Sequence, residues 1–269
     1  MLSAPHRTAL PIGFGGESFL ADPSGALIWP RRGTLLVADL HFEKGSAYAR
    51  KGQLLPPYDS LETLIRLEEV AAAHRVRRIL CLGDSFHDQG GPARLDPEDR
   101  RRLERLVAAH DWVWITGNHD HGAAAGLGGM VVDELLEAGV ALRHEAATTA
   151  APGERLEISG HFHPKAVLRV RGRRLSRRCF AGGRAPCGRN RLVLPAFGAY
   201  TGGLNALDPA VARLFAGGFD VWALGESTVH RLPSARLDPD QPRVGGHRPS
   251  SGRAAQGAVS GITIGADEA

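Results

Sequence analysis

Five short clusters of Asp, Asn and His carry the residue types and the order that hydrolytic chemistry on a metal would need. They are Asp39-Leu40-His41, Gly83-Asp84-Ser85-Phe86-His87-Asp88, Gly117-Asn118-His119-Asp120, Arg143-His144 and Gly160-His161-Phe162-His163-Pro164. Carboxylate and neutral imidazole are borderline-hard donors that suit Mn²⁺, Fe²⁺ or Zn²⁺. One carboxylate can also bridge two such ions about 3.5–4 Å apart. In Asp-x-His or His-x-His on an extended segment the two outer side chains point the same way, so each triplet can address one site. Gly83, Gly117 and Gly160 give the backbone freedom to turn sharply beside them. Taken singly, such fragments are ordinary turns or surface histidines. Their shared placement sets them apart.

Each cluster follows a short apolar run. Thr34 to Ala38, Arg78 to Leu82, Trp112 to Thr116, Val140 to Arg143 and Leu156 to Ser159 read as strands, and Thr34 to Ala38 lacks the alternation of a half-exposed one. Leu61 to Ala73 and Pro97 to Ala109 have helical spacing and separate the first three strands. Ligands of open α/β sheets collect beyond the carboxyl ends of strands, so five such ends bearing Asp, Asn or His predict one shared site. Ahead of them, Ser18 to Leu20 and Ala26 to Trp29 read as a hairpin around Asp22-Pro23-Ser24-Gly25. After residue 140 come further short strands at Ala166 to Val170, Leu192 to Pro195 and Val221 to Leu224. The expected fold class is α/β, with a two-sheet β-sandwich core flanked by helices. Its second sheet would form from the later antiparallel strands.

Residues 1–233 are expected to form one domain. Residues 234–269, rich in Pro, Gly, Ser, Arg and Ala without periodicity, are expected to be a disordered tail. Apolar residues at 43% and charged residues at 23% fit a soluble globular protein, and no apolar run nears the roughly 20 residues that span a bilayer. The N-terminus lacks the apolar core of a secretory signal, and three cysteines are too few and odd in number for a disulfide framework. A cytoplasmic location is expected.

The formal net charge is +4, carried almost wholly by arginine. Arg169, Arg171, Arg173, Arg174, Arg177, Arg178, Arg184, Arg189 and Arg191 crowd one stretch. Alternation at Arg169, Arg171 and Arg173 would put three guanidiniums on one strand face, suited to phosphate oxygens. Arg173, Arg174, Arg177 and Arg178 are the candidates for binding a phosphate-bearing substrate. Their bland alternative is a solvated hairpin face.

The five clusters, in this order, resemble the signature blocks of the calcineurin-like metallophosphoesterases. The resemblance implies two divalent ions, Mn²⁺ foremost with Fe²⁺ or Zn²⁺ as alternatives. One would be held by Asp39, His41, Asp84 and His163, the other by Asp84, Asn118, His144 and His161. For His144 the nearby competitors are His110, His121 and His74, and the Arg-His-Glu context after a short strand favours His144. His119 would be the general acid. His87 stands where the phosphoprotein phosphatases carry an Asp that orients that acid, a departure that leans away from phosphoprotein substrates; Asp88 is an additional carboxylate without a place. A tighter likeness lies in Leu35 to Gly45, Gly160 to Pro164, and Leu194-Pro195-Ala196-Phe197-Gly198-Ala199-Tyr200-Thr201-Gly202-Gly203. These segments resemble the ligase-associated DNA damage response phosphoesterases, the PdeM family. That resemblance implies a Mn²⁺-dependent phosphodiesterase and DNA endonuclease working beside a DNA ligase, a helicase and an exonuclease-like protein. The alternative is a phosphoesterase for a small molecule, such as a cyclic nucleotide or a phosphomonoester. From the residues alone, Leu194 to Gly203 is a strand entering a Gly-rich turn, either structural or substrate-lining.

Overall fold

A computed structural model describes residues 8–240. Its first sheet runs, in spatial order, β1 (Leu10–Phe14), β2 (Glu17–Ala21), β3 (Leu27–Trp29), β4 (Thr34–Val37), β5 (Arg78–Leu82), β6 (Asp111–Ile115) and β7 (Met130–Val132). Neighbours from β1 to β4 are antiparallel and those from β4 to β7 parallel. Parallel neighbours need crossovers. Here α1 (Lys44–Ala49) and α2 (Asp59–His74) join β4 to β5, and α3 (Gly91–Arg94) and α4 (Pro97–Ala109) join β5 to β6. The start of α4 is fixed by Asp96, whose side chain accepts the Glu98 N–H, with Pro97 in the first turn.

The second sheet is built from β8 (Glu134–Glu137), β9 (Val140–Arg143), β10 (Leu156–Ser159), β11 (Lys165–Val170), β12 (Arg173–Arg184), β13 (Asn190–Val193), β14 (Asp220–Leu224) and β15 (Val229–Pro233). The short helix α5 (Pro209–Ala212) precedes β14. The spatial order is β15-β14-β12-β13-β10-β9-β8, with β11 paired to β12 off this path. The expectation of an antiparallel second sheet is corrected at its centre, where β9, β10 and β13 are parallel. The 144–155 connection returns the chain to the start of the sheet before β10, so β9 and β10 run the same way and present their carboxyl ends together.

Successive strand residues face opposite sides, and here both sides are buried. Leu35, Val37, Ile79 and Cys81 pack with Leu64, Leu67 and Leu103 of the helices. Their neighbours Leu36, Leu80 and Leu82 pack between the sheets with Val140, Leu142, Leu156 and Ile158. A third cluster on the outer face of the second sheet joins Ala166, Val193 and Val221 to Val211, Leu214 and Phe215. The central strands therefore have no freedom to rotate, and whatever follows them is aimed.

Two expectations need adjusting. Arg169, Arg171 and Arg173 do not share a strand face, because Arg171 and Gly172 both take positive φ and turn the β11–β12 hairpin. Ser234–Arg236, expected to open a disordered tail, forms a 3₁₀ turn. Leu237 is buried, and the Asp238 N–H donates to the Val167 carbonyl at 2.7 Å. One apolar side chain anchors this stretch. The rest of the expected tail, 241–269, lies outside the described residues.

Candidate metal centre

Beyond their last ladder residues, β4 and β5 stay in register through their loops. Asp39 N–H donates to the Gly83 carbonyl at 3.2 Å, His41 N–H to Asp84 at 2.9 Å and Phe42 N–H to Ser85 at 2.9 Å. This ribbon lays Asp39 and His41 against Asp84. From the second sheet, Gly160 N–H donates to the His144 carbonyl at 2.9 Å, and the His161 N–H donates to the Asp39 carboxylate at 2.9 Å. The two sheets thus meet at Asp39.

The ligand segments are not extended, contrary to expectation. Asp39, His41, Asp84, His161 and His163 all have φ between 45° and 70°. Left-handed backbone is uncommon for such residues and clusters at functional sites. The glycines also act differently from expectation at two of three positions. Gly83 does take positive φ, but Gly117 and Gly160 are required by close approach. A Cβ at Gly117 would lie 2.2 Å from Asp84 atoms, and one at Gly160 2.6 Å from the Asp39 carboxylate.

The donor atoms fall into two groups. In the first, Asp39, His41 and His163 converge within 4.8 Å of one another, and in the second Asp84, His144 and His161 do the same. Asp84 lies between them, its Oδ2 3.9 Å from His41 Nε2 and 3.4 Å from His144 Nε2. The Asn118 Oδ1 joins the second group at 2.8 Å from His144 Nε2 and 3.1 Å from His161 Nδ1. His144 is thereby placed in the centre. Of its competitors, His74 meets Asp22 at 2.9 Å, His110 meets the Leu106 carbonyl at 2.9 Å, and His121 is exposed.

The donor chemistry fits divalent cations. Nitrogen faces nitrogen at 3.4 Å between His41 and His163 and at 3.1 Å between His161 and His144. Asp39 and Asp84 are both nearly inaccessible beside them. Such convergence of lone pairs and buried carboxylates needs positive charge. Without metal, protons must supply it. Burial pulls the His144 pKa down, but hydrogen bonding to Asp84 and the charges of Asp39 and Asp84 outweigh it and raise it to about 9. Burial alone would raise Asp84, yet the same His144 contact holds it well below the usual carboxylate range. Burial drives His41 down to about 3, against the pull of Asp39. Burial and then the His144 charge lower His161. Metal binding must displace the His144 proton.

His119 sits outside both groups. Its N–H donates to Asp84 Oδ1 at 2.9 Å, its Nε2 is 4.0 Å from Asp84 Oδ2, and its Nδ1 is 3.2 Å from the His87 carbonyl. A carbonyl only accepts, so Nδ1 carries a proton and Nε2 is the nitrogen left facing the centre. The His87 ring stacks on His119 at 5.7 Å, and Tyr48 also packs against it, tilted, at 5.6 Å. Burial, then Lys44, then His119 lower the His87 pKa. His87 therefore reaches His119 through its carbonyl and its ring face. The Asp120 carboxylate accepts from the Ser85, Phe86 and Gly117 N–H groups and ties the loops that carry Asp84 and Asn118 together. Asp88 is held by Arg94 through two 2.9 Å contacts and belongs to neither donor group.

The arginines separate by burial. Arg173, Arg174 and Arg177 are exposed on the β12 arm of the hairpin. Arg178 is not available in the expected way, because its guanidinium donates to the Ala196 carbonyl at 2.8 Å and the Phe197 carbonyl at 3.3 Å, and burial lowers its pKa. Arg189 and Arg191 are buried against Glu154 and Glu157.

Leu194 to Gly203 is structural along its first half and lines a cleft along its second. Its Phe197 and Gly198 N–H groups donate to the Ala38 and Asp39 carbonyls, while Gly202 and Gly203 line a cleft of about 520 Å³ together with His161 and His163. Lys44 and Arg213 also line that cleft and were not singled out from sequence. Lys44 stands three residues after His41, a signal that was present; Arg213 had none.

A family model described as calcineurin-like phosphoesterase matches residues 34–165, which contain every ligand named above. Among solved structures, nuclease MPE from Pseudomonas putida is 30% identical, with a TM-score of 0.63, over 84% of this chain and 100% of that one. Yfce, a phosphoesterase from E. coli, is 15% identical with a TM-score of 0.39, over 76% of this chain and 99% of its own. No curated protein matches the chain. Among the described residues no helix is long and apolar enough to cross a membrane. The matched segment begins at β4 and ends two residues after His163, so the likeness coincides with the strands that carry the two donor groups. The chain belongs to the calcineurin-like phosphoesterase family and is a metal-dependent phosphoesterase.

Proposed function

We propose that the protein is a Mn²⁺-dependent phosphodiesterase that cleaves DNA, with Asp39, His41, Asp84 and His163 holding one ion and Asp84, Asn118, His144 and His161 the other. The observation that carries the proposal is the placement of Asp84 between two donor groups with His119 beside it and outside both. A bound metal pair supplies Lewis acidity, lowering the pKa of the attacking water and neutralising the phosphoryl oxygens. The rest falls to the chain. The Asp84 carboxylate fixes His119 through its backbone N–H, and the His87 carbonyl fixes the ring through Nδ1. The imidazolium then holds a second proton on Nε2, where it can pass to the departing sugar oxygen, leaving the neutral Nδ1–H tautomer. His87 is a positioning residue in this scheme.

The likeness to a nuclease supports a nucleic-acid substrate, and the exposed Arg173, Arg174 and Arg177 add a basic arm to the surface. The Leu194 to Gly203 segment supports a place in DNA repair alongside a ligase, a helicase and an exonuclease-like protein. The test is hydrolysis by the metal-stripped chain reloaded with Mn²⁺, Fe²⁺ or Zn²⁺, offered single-stranded DNA, cyclic nucleotides and p-nitrophenyl phosphate in parallel. Cleavage of DNA with Mn²⁺ as the best ion is expected. Turnover of cyclic nucleotides or the monoester with DNA untouched would replace this reading with a small-molecule phosphoesterase.

A further inference from the structure

The cleft beside the metal centre does not end there. A second recess of about 500 Å³, lined by residues 145–148, Phe162, Arg191, Arg213 and Leu214, shares Glu145, Phe162 and Arg213 with the first. One groove therefore leads from His161 and His163 over Phe162, with Arg213 at the junction. We infer that Arg213 and Lys44 grip the phosphates that flank the one being hydrolysed, so that the groove takes a polynucleotide strand of several phosphates rather than a single phosphoester. This rests on the DNA reading above and narrows it.

Arg213 is held in place from behind. It closes α5, whose first turn is fixed by Pro209 and by Asp208 accepting the Ala210 N–H, and its own N–H donates to the Pro209 carbonyl at 3.2 Å. Its side chain is exposed, and among the described residues no carboxylate lies within ion-pair distance of it. Arg191 in the same groove is the contrast, buried and bound to Glu157 at 2.5 Å. A guanidinium presented in a groove and left without an acid is arranged for an anion that arrives. Glu145 is the acid lining both recesses; its carboxylate is 3.9 Å from His161, and it is 62% exposed, where solvent screens its repulsion.

Lys44 flanks the centre in the same cleft. Burial lowers its pKa and Asp59 only partly restores it, while its ammonium rests over the Tyr48 ring at 5.8 Å. A partly desolvated ammonium with an aromatic face on one side gains from an incoming phosphate oxygen. Phe162 lines both recesses, is 8% exposed and lies perpendicular to His161 at 4.9 Å, so little of its ring is open for a base to stack on. Contacts of this kind read the backbone and not the sequence.

The test is kcat/KM of the Mn²⁺-loaded protein on a dinucleotide, a tetranucleotide and an octanucleotide, each measured over a range of salt. The wild-type rate should rise with length and fall with salt. Arg213→Gln should remove most of the gain with length and make the salt slope shallower by about 0.7, the value of one single-strand phosphate contact. Lys44→Gln should act likewise, and Lys44→Arg, which keeps the charge, should restore the slope. Arg101→Gln, on the exposed side of α4, controls for net charge and should change neither quantity. Wild-type length and salt dependence in Arg213→Gln, or an equal loss in Arg101→Gln, overturns the groove and leaves the DNA reading standing. Failure of the wild-type chain to cleave any oligonucleotide overturns both.

Discussion

Two regions of this chain are dense in chemically capable residues, and they behave in opposite ways on folding. The Asp, Asn and His residues that follow the parallel strands come from segments more than a hundred residues apart, and they converge on one centre. The arginines of residues 169–191 are adjacent in sequence, and they scatter. Arg189 and Arg191 turn inward onto Glu154 and Glu157, and Arg178 pins the Ala196 and Phe197 carbonyls. Arg169 and Arg174 face Asp238 and Asp240, while Arg173 and Arg177 remain exposed. Buried strands fix where their ends point, whereas an exposed hairpin sorts its charges by whichever carbonyl or carboxylate lies near. Shared topology predicts a site better than local density does.

The first way to break this comparison is at Asp84, where the two donor groups join. Replacing an outer partner of a metal ligand typically costs about 10–100-fold in affinity or activity, so removing a carboxylate common to both ions should cost more than about 100-fold. Asp84→Ala should bind well under two ions per chain by metal analysis and lose hydrolysis of both DNA and bis-p-nitrophenyl phosphate. Two ions bound with normal turnover would show that Asp84 does not bridge.

His119 should separate those two substrates. A sugar oxygen is a poor leaving group and needs a proton, while p-nitrophenolate departs without one. General acid catalysis contributes about 10²–10⁴-fold where it is needed. His119→Ala should lose DNA cleavage in that range, retain much of its activity on bis-p-nitrophenyl phosphate and keep its metals. Equal loss on both substrates with metals in place would make His119 a phosphoryl-binding group and not an acid.

The difference between the two regions also explains what the sequence disclosed. The strands β4, β5, β6, β9 and β10 that lead into the donor groups were legible because each is a short apolar run ending in polar residues, and burial on both faces demands such runs. The first half of β12, Arg-Arg-Leu-Ser-Arg-Arg, shows no apolar face because it is exposed there, and the strand was missed. The edge strand β8, Glu-Leu-Leu-Glu, and the six-residue α1 are too short for a period. Positive φ at Asp39, His41, Asp84, His161 and His163 left no mark either, since no glycine stands at those positions. Arg213 joins the cleft only through tertiary packing.

Burial, not charge, should decide what an arginine partner contributes to stability. Glu157 is fully buried and accepts from Arg143 at 3.0 Å, Arg189 at 2.6 Å, Arg191 at 2.5 Å and the Ala147 N–H at 2.9 Å. Removing one member of a buried charge group leaves the others uncompensated and costs about 3–5 kcal/mol. Glu157→Ala should therefore unfold at markedly lower denaturant. The exposed pair of Arg174 and Asp240, at 2.7 Å, should contribute under about 1 kcal/mol, so Asp240→Ala should barely move the midpoint. Comparable losses in the two variants would erase the distinction drawn between the two sets of arginines.

The smallest effect concerns the arginines that stay outside. If the β12 arm touches DNA away from the reacting phosphate, Arg173, Arg174 and Arg177 act only through charge and should appear in the salt dependence of binding. Each lost phosphate contact lowers the slope of log affinity against log salt by about 0.7 on single strands and about 0.9 on duplex. Arg174 should give the weakest response, because Asp240 already neutralises it at 2.7 Å. Arg173→Gln and Arg177→Gln should each flatten the slope, whereas Arg178→Gln should leave it unchanged and lower stability, since its guanidinium is occupied by the Ala196 and Phe197 carbonyls. Arg173 lies near the hairpin tip, paired with Val170 five residues along β11 from Lys165 and about 17 Å away at the rise of a strand, whereas Arg177 pairs with Ala166 beside Lys165. The effect of Arg177→Gln should therefore appear on shorter oligonucleotides than the effect of Arg173→Gln. A slope unaltered on long DNA would mean that the arm is a solvated surface, and the groove at Arg213 would be left as the whole of the nucleic-acid contact.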